Sequence, residues 1–256
     1  MPSINQDRPV VLTIAGIDPS GGAGIVADIK TIAHFGCFPA AAITSITFQN
    51  EKRVFGAEHQ TAATLRAQVE PIVQDAKVVA AKTGMLPTAE IVAEVARLFR
   101  EEELPAPVVD PVMVSTSGHD LIGEAAFEIL RESLLPLARV VTPNIPEAER
   151  LTGLSIKSEA DMKRAAEAIR LLGVRAVLVK GGHRRDFTDA TDILLDENGN
   201  FTEFREEYIE VGEVHGSGCT LSAAIAASLG KGISLVDAVG AAKKYLTDQI
   251  RDLIRS

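Results

Sequence analysis

The chain has no tryptophan, only two cysteines, and aromatic residues at just 4% of its 256 positions. With so few rings, its core must be filled by Ala, Val, Ile and Leu. An apolar fraction of 46% is enough for a sizeable one. Cys37 and Cys219 are too few for a disulfide framework or a zinc site, and their number fits a reducing compartment. Positive charge is also short: 26 Lys and Arg against 35 Asp and Glu leave a net charge of −9. Nucleic acid and anionic membrane both need a basic footprint, so neither is expected as a partner. An anionic ligand would have to be drawn in by local backbone dipoles against this global field. The opening MPSINQDRPV has no basic segment leading into an apolar run, so no signal peptide is expected. No apolar run approaches the roughly 18 residues of a membrane span. These absences point to a soluble cytoplasmic protein.

What is present is a regular alternation. Apolar strand patterns lie at Pro9–Gly16, Phe38–Asn50, 77–85, 106–114, Arg139–Asn144 and Arg175–Gly182, with 52–60 as an edge strand. Helical patterns fall between them at 24–36, 61–76, 88–103, 124–135 and 158–173, with Thr61 and Ser158 as candidate N-caps. A polar hairpin at 191–210 turns at Asn198-Gly199, and helices Gly218–Leu229 and Ser234–Ile254 close the chain. Near-continuous apolar strands alternating with amphipathic helices predict a mostly parallel central sheet covered on both faces. No linker or repeat interrupts it, so residues 1–256 read as one α/β domain, with 1–8 expected to be a flexible segment. Ligands of such sheets bind beyond the carboxyl ends of the strands.

The residues at those ends carry the chemistry. GIDPSGGAG (Gly16–Gly24) follows the first strand and matches neither the dinucleotide fingerprint nor the P-loop. It is either an ordinary tight turn or a place where backbone approaches a ligand, and Asp28 is either an exposed helix carboxylate or within reach of that place. Met85 and Met113 read as core filler. Asp110 ends an apolar strand, where a carboxylate is costly unless it is solvated, capping or beside a metal. Asn144 and Glu147 suit a helix start, as cap and dipole partner, and would equally present an amide and a carboxylate to a hydrated Mg²⁺. Lys180 is a solvated strand end or a phosphate contact, with His183 three residues on. In HGSGCT, the Gly216–Gly218 amides and the following helix dipole can form an anion hole without formal charge. Cys219 sits in that positive field, which lowers a thiol pKa, or is simply a small buried hydrophobe.

The motifs TIAGIDPSGGAGIVADIKT, KTGML, DPVMV, TPNIPEA, VLVKGGH and HGSGCTLSAAIAA, in this order, resemble those of hydroxymethylpyrimidine/phosphomethylpyrimidine kinases of thiamine biosynthesis. These are members of the ribokinase-like superfamily. The resemblance covers almost the whole chain and implies a single ribokinase-like domain. It implies MgATP-dependent phosphorylation of 4-amino-5-hydroxymethyl-2-methylpyrimidine, then of its monophosphate. It makes Gly216, Ser217, Gly218 and Cys219 the anion-hole motif, with Cys219 at the position of the catalytic base. Ala23, Asp28, Gln49, Met85 and Val112 would form the pyrimidine pocket. Lys180 and Asn144 would contact ATP, and Glu147 and Asp110 would hold Mg²⁺, directly or through water. Ile17 and Phe48 depart from the family pattern, which usually has Ser or Thr and a small residue there. A homodimer is expected from the family's habit and from apolar surface around FPAAAIT and Val54. A pyridoxal or pyridoxine kinase is the near alternative, alone or combined with the pyrimidine activity. A sugar kinase fits less well because Cys replaces its usual Asp. A non-catalytic ligand-binding relative is the remaining alternative, against which the intact motifs argue.

Overall fold

A computed structural model describes residues 8–50, 53–102, 104–114, 118, 120–182, 189–207, 209 and 214–255. Its first strand, β1 (Val10–Ile17), is buried at every position but the last, so both of its faces must be covered. Val10, Leu12 and Ile14 point into one apolar core and Val11 into the other, the two-residue alternation of a strand. Around it are β2 (Phe38–Asn50), β3 (Arg53–His59), β4 (Val78–Thr83), β5 (Val108–Val109), β6 (Val140–Val141), β7 (Val177–Lys180), β8 (Asp189–Leu195) and β9 (Phe201–Glu207). They form one nine-stranded sheet in the order β3-β2-β1-β4-β5-β6-β7-β8-β9. The pairs from β2 through β7 are parallel; β3 at one edge and the β8–β9 hairpin at the other are antiparallel.

Helices α1 (Gly24–His34), α2 (Ala62–Asp75), α3 (Ala89–Glu101), α4 (Glu124–Ile129), α5 (Ile145–Thr152), α6 (Glu159–Arg170), α7 (Ser217–Gly230) and α8 (Leu235–Arg255) cover the two faces. Thr61 and Ser158 do cap α2 and α6, accepting from the backbone of Thr64 and Asp161. The α7 segment from Leu221 to Ser228 is buried all round, which its small residues allow. It is wedged against α1, α8 and the sheet, with its N-terminus at the carboxyl ends of the strands. No helix is long and apolar enough to cross a membrane among the described residues.

Several expected elements are shorter, β7 among them at four residues. The strands foreseen at 77–85, 106–114 and 139–144 shrink to six, two and two residues. Apolar character there reflects burial rather than regular pairing, because irregular contacts such as Asp110 N–H to Thr83 O at 3.0 Å and Thr142 N–H to Val109 O at 3.0 Å carry the chain onward. The helix foreseen at 124–135 becomes a wider π turn after Ile129 and then a tight turn through Pro136, whose missing N–H cannot continue the ladder. The expectation for residues 1–8 falls, apart from Arg8, outside the described residues, as does His183.

Candidate active site

Beyond the ends of β1, β4, β5, β6 and β7 lies a cavity of about 580 Å³. Its wall includes Ala23, Gln49, Met85, Asp110, Val112, Asn144, Glu147, Lys180 and Gly216 to Cys219. Every residue singled out in the sequence for a site is there except Asp28. Residues scattered over nearly 200 positions converge because each lies at or beyond the carboxyl end of a strand on the same side of the sheet.

Two loops close on each other at its floor. Gly216, before α7, has φ +78°, and a Cβ there would lie 1.9 Å from the Gly22 carbonyl oxygen. Only glycine permits both the left-handed backbone and that approach. A Cβ on Gly218 would sit 3.3 Å from both the Asp110 carboxylate and the Lys180 ammonium. The first turn of α7 therefore presents backbone amides beside a charged pair, the setting in which a phosphate group is held.

That pair is loosely made. Lys180 Nζ lies 3.2 Å from Asp110 Oδ1, with Thr142 Oγ1 at 3.4 Å and Ser222 Oγ 3.3 Å from the other oxygen. Burial disfavours the charge on Lys180, but Asp110 and Glu147 outweigh it and raise its pKa. Asn144 and Glu147 form a reciprocal cap on α5: Asn144 Oδ1 accepts from Glu147 N–H at 2.9 Å, and Glu147 Oε2 from Asn144 N–H at 2.8 Å. The Asn144 oxygen is thus engaged by the cap. Burial pushes Glu147 up to about 7; Asp110 adds to this, while Lys180 and backbone N–H groups of Asn144 and Met113 oppose it.

The lining around Gln49 is mostly uncharged, apart from the Asp18 carboxylate. Ala23, Met85 and Val112 give apolar contact, and Gln49 supplies an amide. Phe48, its neighbour on β2, points the other way and is 51% exposed, so the departure from the family pattern lies outside the ring pocket rather than in it or in the core. Ile17, the other departure, does line the cavity. Met85 and Met113, expected as core filler, are buried and reach the wall as well.

Asp28 is corrected on both of its readings. It is neither an exposed helix carboxylate nor on the cavity wall. It is fully buried, with Lys82 Nζ 3.0 and 2.9 Å from its two oxygens and Thr13 Oγ1 donating at 2.6 Å. The α1 helix turns this position toward the sheet, where an unpaired carboxylate would be untenable. Lys82 was missed, although a lysine inside the apolar run VVAAKT is the kind of residue that must find a buried partner. Asp18 and His215 were missed too: His215 Nε2 lies 2.8 Å from Asp18 Oδ2 and ties the β1–α1 loop to the loop before α7.

Cys219 lies in the first turn of α7, partly exposed. Burial of the thiol pushes its pKa up to about 11; Lys82 pulls it down, Asp28 and Asp110 push it further up, and the Gly24 N–H favours the thiolate. Desolvation outweighs the pull of Lys82 and the Gly24 N–H.

Residues 18–256 match the phosphomethylpyrimidine kinase family. This chain belongs to that family. It is 48% identical to a hydroxymethylpyrimidine/phosphomethylpyrimidine kinase of Rhizobium meliloti, over 93% of this chain and 88% of that protein. A phosphomethylpyrimidine kinase structure from Clostridium difficile aligns with a TM-score of 0.84 at 41% identity, covering 95% of this chain and all of the other. An ADP complex of Bacillus subtilis pyridoxal kinase aligns at 0.86 and 38% identity, covering 94% and 91%. As a member of the phosphomethylpyrimidine kinase family the chain is a phosphotransferase of ribokinase-like α/β fold, and the cavity is where its transfer chemistry is to be sought.

Proposed function

We propose that the protein transfers the γ-phosphate of ATP to 4-amino-5-hydroxymethyl-2-methylpyrimidine and then to the resulting monophosphate, in thiamine biosynthesis. The observation that carries this reading is the convergence, in one cavity, of a largely apolar ring-sized wall around Gln49 with a phosphate-sized cradle around Gly216–Cys219 and Lys180. Ala23, Met85 and Val112 sandwich a flat ring, and the Gln49 amide pairs with its polar edge. The α7 amides and Lys180 bear the negative charge of the moving phosphoryl group, which is most of what such a transfer asks of a protein. Asn144 binds phosphate through its NH₂.

No cluster of three or more metal-ligating side chains is preformed among the described residues. Two carboxylates, Asp110 and Glu147, fit a Mg²⁺ that arrives with ATP and keeps several waters. Bound there, the ion would neutralise phosphate charge. Cys219 takes the proton of the substrate hydroxyl. Because burial holds the thiol near 11, the thiolate is a minor form at neutral pH and grows about tenfold per pH unit. We read residues 1–256 as one kinase domain acting in the cytoplasm. We read exposed Ile46, Phe48 and Phe55 on β2–β3 as a face for a second copy.

Transfer assayed with the pyrimidine, its monophosphate, pyridoxal and ribose tests the reading. Tight binding of both pyrimidines without ADP formation would leave a ligand-binding protein. Preference for pyridoxal would favour the second reading, a vitamin B6 kinase, which the likeness to the Bacillus subtilis enzyme keeps open. For Cys219, kcat is expected to rise from pH 7 to 9, and Cys219→Ala to lower it about 10²-fold, the low end for a general base, with ATP still bound. Wild-type kcat in Cys219→Ala would return the residue to a packing role.

A further inference from the structure

A second cavity, of about 420 Å³, adjoins the first and has no part in the reading above. Met85, Leu121 and Arg150 belong to the walls of both. Val54 and Ala57 of β3 and the segment before α4 close its other sides. The order of the sheet fixes where it lies. β3 flanks β2 at the edge, with Val54 paired to Gln49. On the far side of β1 come β5, which leads to Asp110, and β7, which ends at Lys180. A ligand drawn back from the phosphate cradle along the strand ends therefore moves toward β3 and the second cavity.

The partition between the two cavities can give at Met85. Its carbonyl accepts from Thr44 Oγ1 at 2.7 Å, which pins the backbone. Its side chain lies over the end of β1, with the methyl 2.7 Å from where a Cβ on Gly16 would stand. An unbranched thioether with three rotatable bonds can swing away while the backbone stays in place.

Two successive transfers in one site require such room. ATP brings its γ-phosphate to the same cradle each time. In the first transfer the attacking atom is the hydroxymethyl oxygen; in the second it is a terminal oxygen of the phosphate that the hydroxymethyl group now carries. That oxygen forms a bond to the γ-phosphorus, the bond from this phosphorus to the β–γ bridging oxygen breaks, and ADP leaves with the electron pair. The monoester is already ionised at neutral pH, so no proton has to be removed from the attacking oxygen. Both attacking oxygens must come to about 3 Å from the phosphorus. The ring must therefore stand one phosphate group further from the cradle in the second step.

We infer that the second cavity is the subsite into which the pyrimidine ring of the monophosphate retreats for the second transfer, with Met85 as the movable partition. This rests on the two-step reading of the proposed function and deepens it.

Gly123 supplies the test. It lines the second cavity and not the first, and a Cβ there would meet nothing within 4 Å. Its φ of −77° suits any residue, so Gly123→Leu fills the cavity without backbone strain. ADP formation is measured with the pyrimidine and with its monophosphate as separate substrates. In this variant kcat/KM for the monophosphate is expected to fall about tenfold, with the value for the pyrimidine unchanged. Ala57→Leu, which fills the same space from β3, is expected to act alike, so a folding defect in one variant does not decide the matter. Met85→Ala opens the partition and is expected to move the ratio of the two kcat/KM values the other way, toward the monophosphate, which a loss of packing alone would not do. Equal losses for both substrates in the filling variants, no loss for the monophosphate, or a ratio that falls in Met85→Ala each overturn the inference and leave the kinase reading standing. A wild-type protein that phosphorylates neither pyrimidine overturns the kinase reading itself, and the inference with it.

Discussion

Lys82 and Lys180 end parallel strands of the same sheet and each faces an aspartate, yet the two pairs are built differently. Lys82 meets both oxygens of Asp28 at 2.9 and 3.0 Å, Thr13 adds a third bond, and neither partner touches solvent. Lys180 meets one oxygen of Asp110 at 3.2 Å, remains 12% exposed, and opens onto the cavity with Glu147 nearby. Both lysines have raised pKa values because carboxylates outweigh burial, so both are charged. The difference is saturation. A pair whose bonds are complete can only hold the fold; a pair left short of partners can receive an anion.

The largest effect should follow from breaking the closed pair. Lys82→Met leaves Asp28 buried without its counter-charge and is expected to cost about 3–5 kcal/mol in urea denaturation. A loss below about 1 kcal/mol would mean that Asp28 finds water or a proton, and the contrast drawn here would fail. Removing both charges, Lys82→Met with Asp28→Leu, is expected to recover most of that loss, because well-packed apolar residues replace buried ion pairs at little cost. A double variant as unstable as the sum of the singles would show that the two residues do not act as a unit.

This pair also marks where sequence reading stops. The alternation of β1, the caps at Thr61 and Ser158 and the Asn198-Gly199 turn are local signals, set by residues within a few positions of each other. Strand ends in a parallel sheet gather on one side, so Gln49, Asp110, Lys180 and Cys219, each at or beyond a strand end, could be placed together before any coordinates. Asp28 and Lys82 are 54 positions apart and Asp18 and His215 are 197 apart. Nothing local tells α1 to turn its carboxylate inward rather than to the ligand. The Cys219 thiol posed a different problem: two opposing terms, helix dipole and burial, and only the three-dimensional surroundings weigh them.

Gly218 sharpens the open side of the comparison. Its Cβ would stand 3.3 Å from both members of the Lys180–Asp110 pair, in the space where phosphate is read to sit. Its helical position accepts alanine, so Gly218→Ala should change stability by no more than about 1 kcal/mol. Activity should nevertheless fall about tenfold, with ATP affinity falling alongside it. Full activity in this variant would move the phosphate site away from the first turn of α7.

A small effect on stability is expected where the effect on function is large, at Lys180. In Lys180→Met, Asp110 keeps Thr142 and Ser222 within reach and borders a cavity that water can enter. Glu147, already pushed up to about 7 with Asp110 among the causes, loses the cation that held it down. A proton taken up there relieves the repulsion between the two carboxylates, which Asp28, sealed beside Lys82, cannot share with any neighbour. The expected cost is therefore about 1 kcal/mol or less, well below that of Lys82→Met, although both substitutions remove a buried lysine from an aspartate. The same variant is expected to lose about 10²-fold in kcat/KM for ATP, because its one remaining task, facing phosphate charge, has no substitute in methionine. Urea denaturation and steady-state kinetics on the two lysine variants, run side by side, decide the matter. If Lys180→Met unfolds as readily as Lys82→Met, the two pairs are alike and the open one is not reserved for a ligand.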